Sequence, residues 1–199
     1  MENPRQYKIM IAEYFINLIP GSINYEFLNN NRSIISNFGY SYTNFTYSKI
    51  NAGISSVKLI NTPDSLLFNT SCNLDTNANY TMLFYSIGNS VSAMMLSDSI
   101  DFFSSSNSFY RFIHASNDYS DVTFKITDNQ SFDLPAMSST SLKTSYAGKF
   151  IIVATEIASG KIIAQDTSVI INPGKIYNFI LRGNSSKSEI LKIETAFLQ

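Results

Sequence analysis

Three residues that could support hydrolysis lie close together in the second half of the chain. His114, Ser116 and Asp118 fall within five consecutive positions, and His114 is the only histidine. A serine hydrolase needs a histidine that takes the proton of the serine hydroxyl and a carboxylate that orients the imidazole. On an extended strand, His114 and Ser116 point to the same face. A hydrolase that uses His114 with Ser116 is therefore one hypothesis.

The surroundings of these residues favour a structural role instead. Catalytic Ser-His-Asp sets are usually assembled from separate elements of a fold. No nucleophile elbow and no glycine-rich oxyanion loop accompany Ser116 in the sequence. We therefore predict that His114 and Ser116 form a structural motif, with His114 bonding nearby backbone at the end of a strand. On this interpretation no residue of the chain is catalytic.

Other kinds of site lack their ligands in this sequence. A single cysteine, Cys72, and a single histidine exclude both a disulfide within the chain and a zinc site built from these ligands. Asp118, Asp121 and Asp128 lack the glycine and the late glutamate of a calcium loop. No glycine-rich phosphate motif occurs. We predict neither a metal nor another cofactor.

Charge argues against a nucleic-acid partner. The net charge is −1, with 14 Lys and Arg against 15 Asp and Glu, and no run of basic residues occurs. A nucleic-acid groove needs a positive stripe that displaces counterions. No apolar run approaches the ~20 residues that span a bilayer. The sequence therefore predicts no nucleic-acid binding and no membrane span in this chain.

Short alternating segments with turn residues between them predict an all-β fold. Val122, Phe124 and Ile126 alternate with Thr123 and Lys125, so that one face is apolar. No segment shows a sustained helical period with capping signals. Strands that recur every ~8–12 residues are typical of antiparallel sandwiches. A chain of 199 residues is long for one sandwich and comfortable for two.

Four short segments of the first half recur in the second half in the same order. The matches are Leu18-Ile19 with Phe112-Ile113, Ile23–Phe27 with Val122–Ile126, Ala52-Gly53 with Ala147-Gly148, and Asn79–Met82 with Ile176–Phe179. Segments in one order with small drift between them indicate an internal repeat. We predict two tandem sandwich domains at 1–100, the more degenerate copy, and 109–199. The serine-rich segment 101–108 would join them as a linker.

The densest aromatic cluster lies in the first half and contains the candidate binding surface. Alternate residues of a strand share a face. Tyr40 therefore lies with Tyr42 and Phe45 with Tyr47, so that we expect one pair in the core and the other outside it. Exposed aromatic rings bind sugars or anchor a protein partner. The alternative is that the second pair packs between the two domains.

A family resemblance rests on several motifs of the second half. They are the segment 110–118 with its Ile-His-Ala-Ser-Asn-Asp run, the alternating strand after it, Ala147-Gly148 before an apolar strand, and the Pro-Gly-Lys-Ile-Tyr run at 173–177. Together they resemble the bacterial family called domain of unknown function 4397, with Asn117 where the family motif has proline. The resemblance covers residues 110–192 well. It is weaker in the first half, where Pro20-Gly21 stands in place of His-Ala.

The resemblance implies an immunoglobulin- or transthyretin-like β-sandwich, often in tandem, on exported or surface-anchored bacterial proteins such as lipoproteins. It brings no established activity. The N-terminus shows no signal-peptide pattern, so the expected extracytoplasmic location requires a leader removed ahead of this sequence. We predict a non-catalytic module for binding, adhesion or spacing, with a glycan or a surface protein as its partner. The ligand and the oligomeric state stay open.

Overall fold

The computed structural model describes residues 6–11, 25–38, 47–61, 65–75, 78–87, 90–99, 106–127, 130–183 and 192–198. Every regular element within these ranges is a β-strand. In the same ranges no helix has the length and apolarity that crossing a bilayer requires. The prediction of an all-β fold is therefore confirmed. The chain divides into two compact units, residues 1–99 and 100–199.

The described part of the first unit contains eight strands in two sheets. The strands are β1 (Gln6–Ile11), β2 (Tyr25–Asn29), β3 (Arg32–Phe38), β4 (Tyr47–Asn51), β5 (Gly53–Asn61), β6 (Ser65–Leu74), β7 (Tyr80–Ile87) and β8 (Ser90–Ser97). One sheet has the order β3-β2-β5-β6 and the other β4-β1-β7-β8. All neighbours are antiparallel except β1 and β7. The sequence also predicts a strand at 13–19, which is rich in Tyr, Phe and Ile, and this segment lies outside the described residues.

The described part of the second unit contains nine strands, also in two sheets. They are β9 (Ser108–His114), β10 (Asp121–Ile126), β11 (Gln130–Pro135), β12 (Ser138–Ser139), β13 (Lys143–Ser145), β14 (Gly148–Glu156), β15 (Ile162–Ile171), β16 (Ile176–Arg182) and β17 (Lys192–Leu198). The orders are β11-β10-β14-β15 and β12-β9-β16-β17, and β13 also pairs with β9. Here β9 and β16 form the parallel pair.

Both units therefore connect their strands in the same way. In each one, the first strand lies beside a parallel strand late in the unit, and the second strand lies between the third strand and a long central one. In an immunoglobulin constant domain the first strand instead lies beside the second. The run Asn29-Asn30-Asn31 predicts a turn after β2, because asparagine tolerates left-handed backbone angles. The structure has this turn, with φ angles of 49° at Asn30 and 61° at Asn31. Such left-handed angles suit a two-residue hairpin turn.

The strand register revises one of the predicted matches between the halves. Phe27 of β2 lies opposite Leu59, and Phe124 of β10 lies opposite Ala154, at the corresponding place in its sheet. Phe27 thus corresponds to Phe124 and not to Ile126. A shift of two residues keeps every side chain on its own face of the strand, so the alternation could not reveal it.

A tyrosine hydroxyl closes the same corner in both units. The backbone N–H of Asn172 donates to the Tyr177 hydroxyl at 2.8 Å, and that of Asp75 donates to the Tyr80 hydroxyl at 3.1 Å. Each tyrosine lies near the start of its strand, five residues after its partner. A tyrosine that bonds backbone a few residues upstream is a known device of β-sandwiches. It ties a strand to the loop that precedes it.

We expect Tyr177→Phe to lower the free energy of unfolding of the second unit by about 1–2 kcal/mol, because the partly buried N–H of Asn172 loses its acceptor. Urea unfolding followed by the NMR signals of β16 measures the change. Tyr119→Phe is the matched control, since no hydrogen bond of the Tyr119 hydroxyl enters the corner. A Tyr177→Phe protein as stable as the parent would show that the corner contributes nothing.

The two sheets of each unit pack face to face around an aromatic core. In the second unit, Phe112 of β9 stacks on Phe124 of β10 with ring centroids 4.8 Å apart, and the ring of Phe179 lies 5.6 Å from that of Phe112. In the first unit, Phe27 of β2 meets Phe84 of β7 edge to face at 5.9 Å. Because these pairs join residues of different sheets, each unit is a sandwich.

Candidate functional site

The structure places His114 at the end of β9, fully buried. The imidazole Nδ1 accepts a hydrogen bond from the backbone N–H of Ser116 at 3.4 Å. The Nε2 atom makes no hydrogen bond of ordinary geometry to the described residues. The ring is therefore a buried side chain held by local backbone.

Ser116 is equally buried, and its hydroxyl has other partners than His114. The Oγ atom donates to the carbonyl oxygen of Gly183 at 3.0 Å and accepts from the backbone N–H of Asp118 at 3.2 Å. The N–H of Ala115 donates to the carbonyl of Leu181 at 2.9 Å. These bonds fasten the segment after β9 to the end of β16. The imidazole thus contacts the backbone of Ser116 and not the hydroxyl that it would have to deprotonate.

Burial lowers the pKa of His114 from 6.5 to about 4. The backbone of Tyr119 and the carboxylate of Asp121 act in the opposite direction, with smaller effects. Desolvation dominates because an imidazolium ion loses its hydration in an apolar interior. At neutral pH the ring is uncharged.

Neither the Cys72 thiol nor a group of metal-binding side chains provides a reactive site among the described residues. Cys72 is half-buried on β6, its thiol donates to the carbonyl of Ser55 at 3.8 Å, and burial raises its pKa. Such a thiol resists ionisation and reacts slowly. Among the residues that the structure describes, no three His, Cys, Asp or Glu side chains are grouped so as to hold a metal.

The predicted aromatic surface falls largely outside the described residues. Tyr40, Tyr42 and Phe45 are not among them. Tyr47 opens β4, where its backbone pairs with that of Met10, and its side chain is not described. The assignment of these four residues to a binding surface stays a prediction.

The second unit contains an open groove of about 340 Å³ at one end of its core. Its lining comes from four stretches of the chain: Ser106, Asn107, Tyr110, Ile126, Gln130, Thr144, Ser145, Tyr146 and Phe150. The volume lies near the lower end of the ~300–1,000 Å³ that small-molecule sites occupy. The groove is therefore large enough for a small ligand or one segment of a longer one.

An exposed tyrosine forms one wall of this groove. The side chain of Tyr146 is 61% exposed, whereas Phe150 beneath it is 4% exposed. Their ring centroids lie 5.3 Å apart with an angle of 49° between the planes. The buried ring supports the exposed one, and a supported aromatic ring offers contact area at low entropic cost.

The rest of the described lining consists of neutral polar residues and Ile126. The Tyr110 hydroxyl donates to Oε1 of Gln130 at 2.8 Å, which orients the amide. The amide NH2 group of Gln130 can donate to a ligand, and its oxygen keeps a second lone pair that can accept. Among the residues that the structure describes, none that lines the groove carries a charge. The groove can therefore bind by stacking and by neutral hydrogen bonds.

Sequence reasoning did not single out Tyr146. It is one of 12 tyrosines, and it stands alone in a loop just before the Ala147-Gly148 pair. An exposed aromatic within a turn was the only available signal, and many residues of this chain share it.

The fold and the groove define a class: an all-β protein of two units, one of which has an uncharged aromatic groove on its surface. The chain belongs to the DUF4397 family, described as a domain of unknown function, whose profile matches residues 14–125. The family prediction is thus confirmed. The match begins after β1 and runs through the rest of the first unit and β9 into β10, whereas the resemblance was strongest at 110–192. A second family copy beyond residue 125 stays a prediction.

The similarity to solved structures is weak. The Bacillus anthracis TIE protein is 11% identical, with a TM-score of 0.26 over 90% of this chain and 34% of its own. A leucine-rich repeat protein from Bacteroides thetaiotaomicron is 10% identical, with a TM-score of 0.22 over 90% of this chain and 26% of its own. This chain therefore spans about a third and a quarter of those two proteins.

A third solved structure matches over most of both chains. It is a Bacteroides thetaiotaomicron protein of the DUF1812 family, provisionally described as polysaccharide-binding, with 10% identity and a TM-score of 0.26 over 97% of this chain and 98% of its own. Such TM-scores support no inference about structure or ligand. No curated protein matches the sequence.

Proposed function

We propose that this protein is a non-catalytic binding module that works outside the cytoplasm, and that the groove beside Tyr146 is its ligand site. The observation that carries the proposal is a contrast within the second unit. The residues suited to hydrolysis are buried and bonded to backbone, whereas an open groove presents a supported aromatic ring and neutral polar groups.

The geometry of His114 and Ser116 supports the non-catalytic interpretation. A serine hydrolase requires a serine hydroxyl that reaches both the imidazole and the substrate. Here both side chains are fully buried, and the Ser116 hydroxyl donates to Gly183. A pKa near 4 also makes His114 a weak base. A hydrolase that uses these residues would need the end of β9 to open.

The tandem arrangement and the location belong to the same proposal. The shared strand order and the shared tyrosine corner support two copies of one family domain. The resemblance to exported bacterial proteins supports a place in the periplasm or on the cell surface. Fractionation of the source cells with an antibody against the protein tests the location; recovery from the cytoplasmic fraction alone would contradict it.

We expect Tyr146→Ala to weaken ligand binding by about tenfold or more, because a supported aromatic ring at the centre of a contact carries much of its energy. The intact chain is screened against mixed glycan and peptide arrays, and each ligand found is then titrated against the variant. Ile162→Ala is the matched control, since Ile162 is a similarly exposed residue of the second unit, at 57%, that does not line the groove.

Two results would contradict the proposal. One is a set of ligands whose affinity is unchanged by Tyr146→Ala in a protein of unchanged stability. The other is turnover of chromogenic esters that disappears in His114→Asn while the variant stays folded, which would favour the hydrolase.

A further inference from the structure

We infer that the groove beside Tyr146 binds a neutral saccharide, with one sugar ring against the exposed tyrosine. This inference rests on the proposed function, since it names the ligand class of the same groove. It depends on three properties of the lining: the absence of charge, the supported aromatic ring, and the kind of hydrogen-bonding groups.

The uncharged lining selects against ionic ligands. A phosphate, a nucleotide or an acidic sugar would give up hydration in the groove and gain no opposite charge, which is unfavourable. Four cations are directly adjacent in sequence to lining residues, and none of them is among the described residues that line the groove: Arg111, Lys125, Lys143 and Lys149. A neutral ligand meets no such penalty.

The aromatic wall suits the apolar face of a sugar ring. A pyranose presents C–H groups on its faces and hydroxyls around its edge, so that one face can pack on an aromatic ring while the hydroxyls bond to polar groups. Tyr146 offers a ring of the required kind, largely exposed and backed by Phe150. Tyrosine combines an apolar face with a polar hydroxyl and is favoured at such half-wet contacts.

The hydrogen-bonding groups match hydroxyls better than they match a peptide. Gln130 and Asn107 contribute amides, and Ser106, Thr144 and Ser145 contribute hydroxyls, all of which pair with the donors and acceptors of a sugar. A bound peptide strand would need a long free strand edge to extend. Of the edge strands at the groove, β13 is three residues long, and β11 lines it only with Gln130, its first residue, so a peptide added inside the groove would pair with few backbone groups.

The corresponding place in the first unit lacks the aromatic pair. Gly53 lies opposite Leu74 and Gly148 lies opposite Ile171, each at the first position of its strand. Two residues to either side of Gly53, the sequence has Asn51 and Ser55 where the second unit has Tyr146 and Phe150. We therefore expect this saccharide site in the second unit alone.

The experiment titrates the intact chain with cellohexaose, xylohexaose, mannohexaose and maltohexaose as neutral probes, and with hexagalacturonate and a blocked hexapeptide mixture as comparisons. The chain has no tryptophan, so tyrosine emission and NMR signals report binding. We expect a neutral hexasaccharide to bind with a Kd that is the same at about 50 and about 300 mM salt, because no ion pair forms. Tyr146→Ala should weaken it about tenfold or more, and Ile162→Ala should leave it unchanged.

The outcomes separate this inference from the proposed function. Preferential, salt-dependent binding of hexagalacturonate, or peptide binding that Tyr146→Ala abolishes, would overturn the saccharide inference and leave the groove as the binding site. Saccharide binding that Tyr146→Ala does not weaken would overturn the placement at Tyr146. Failure of every neutral probe to bind would overturn the saccharide inference. Gln130→Ala, expected to weaken binding about fivefold, gives a second variant if Tyr146→Ala loses its fold.

Discussion

Acidification from pH 6.5 to pH 4 is expected to lower the free energy of unfolding of the second unit by about 3 kcal/mol through His114 alone. The folded pKa is about 4, below the ordinary 6.5 of the unfolded chain, because burial disfavours the imidazolium. Between pH 6.5 and pH 4 the His114 imidazole is protonated in the unfolded chain and largely unprotonated in the folded chain. The contribution of uncharged His114 to the free energy of unfolding is therefore fully present above pH 6.5, decreases as the pH falls, and is lost below pH 4.

Urea unfolding at several pH values, followed by the NMR signals of β9 and β16, measures this loss. His114→Asn is the control, since the carboxylates that titrate in both proteins cancel and Asn keeps an acceptor near the N–H of Ser116. The variant should be less stable at pH 7, as should His114→Ala, which we expect to cost roughly 1–3 kcal/mol. The stability of His114→Asn should depend less on pH than that of the parent protein. Equal slopes for the parent and the variant would show that His114 is not the buried base described above.

Replacing Phe112 by alanine is expected to lower the free energy of unfolding of the second unit by about 3–5 kcal/mol. The ring is fully buried, and it contacts aromatic rings of both sheets at centroid distances of 4.8 Å to Phe124 and 5.6 Å to Phe179. Its removal costs the transfer energy of the side chain and leaves a cavity that rigid strands cannot fill. Such a loss is a large fraction of the ~5–15 kcal/mol that stabilises a typical domain.

Thermal and urea unfolding of the intact chain measure this effect. Phe132→Ala is the matched control, because Phe132 is only partly buried on the edge strand β11 and should cost clearly less. Phe112→Leu, expected to cost about 1–2 kcal/mol, keeps the comparison measurable if the alanine variant does not fold. A loss for Phe112→Ala no larger than that for Phe132→Ala would contradict the central place of Phe112 in the core.

The local pattern was sufficient for strands with clear alternation and for which of their faces are buried, whereas β1 was not predicted. Val122, Phe124 and Ile126 are buried in the structure, as their alternation predicts, because a strand presents every second side chain to one side. The turn at Asn30 and Asn31 was likewise predictable, since asparagine tolerates left-handed backbone angles. The structural role of His114 stays a prediction, which rests on the absence of an accompanying catalytic loop in the sequence.

The sequence by itself therefore determined the all-β class and the strands with clear alternation, such as β10. Tertiary structure decided which strands pair. It also showed that the residue of the second unit corresponding to Phe27 is Phe124 and not Ile126. The sequence pattern could not reveal this, because a two-residue slip leaves the face of each side chain unchanged. Tertiary structure also decided which residues form the groove. Tyr110, Gln130 and Tyr146 are far apart in the chain, and only pairing between strands and packing between sheets bring them together. Local periodicity carries no information about such contacts.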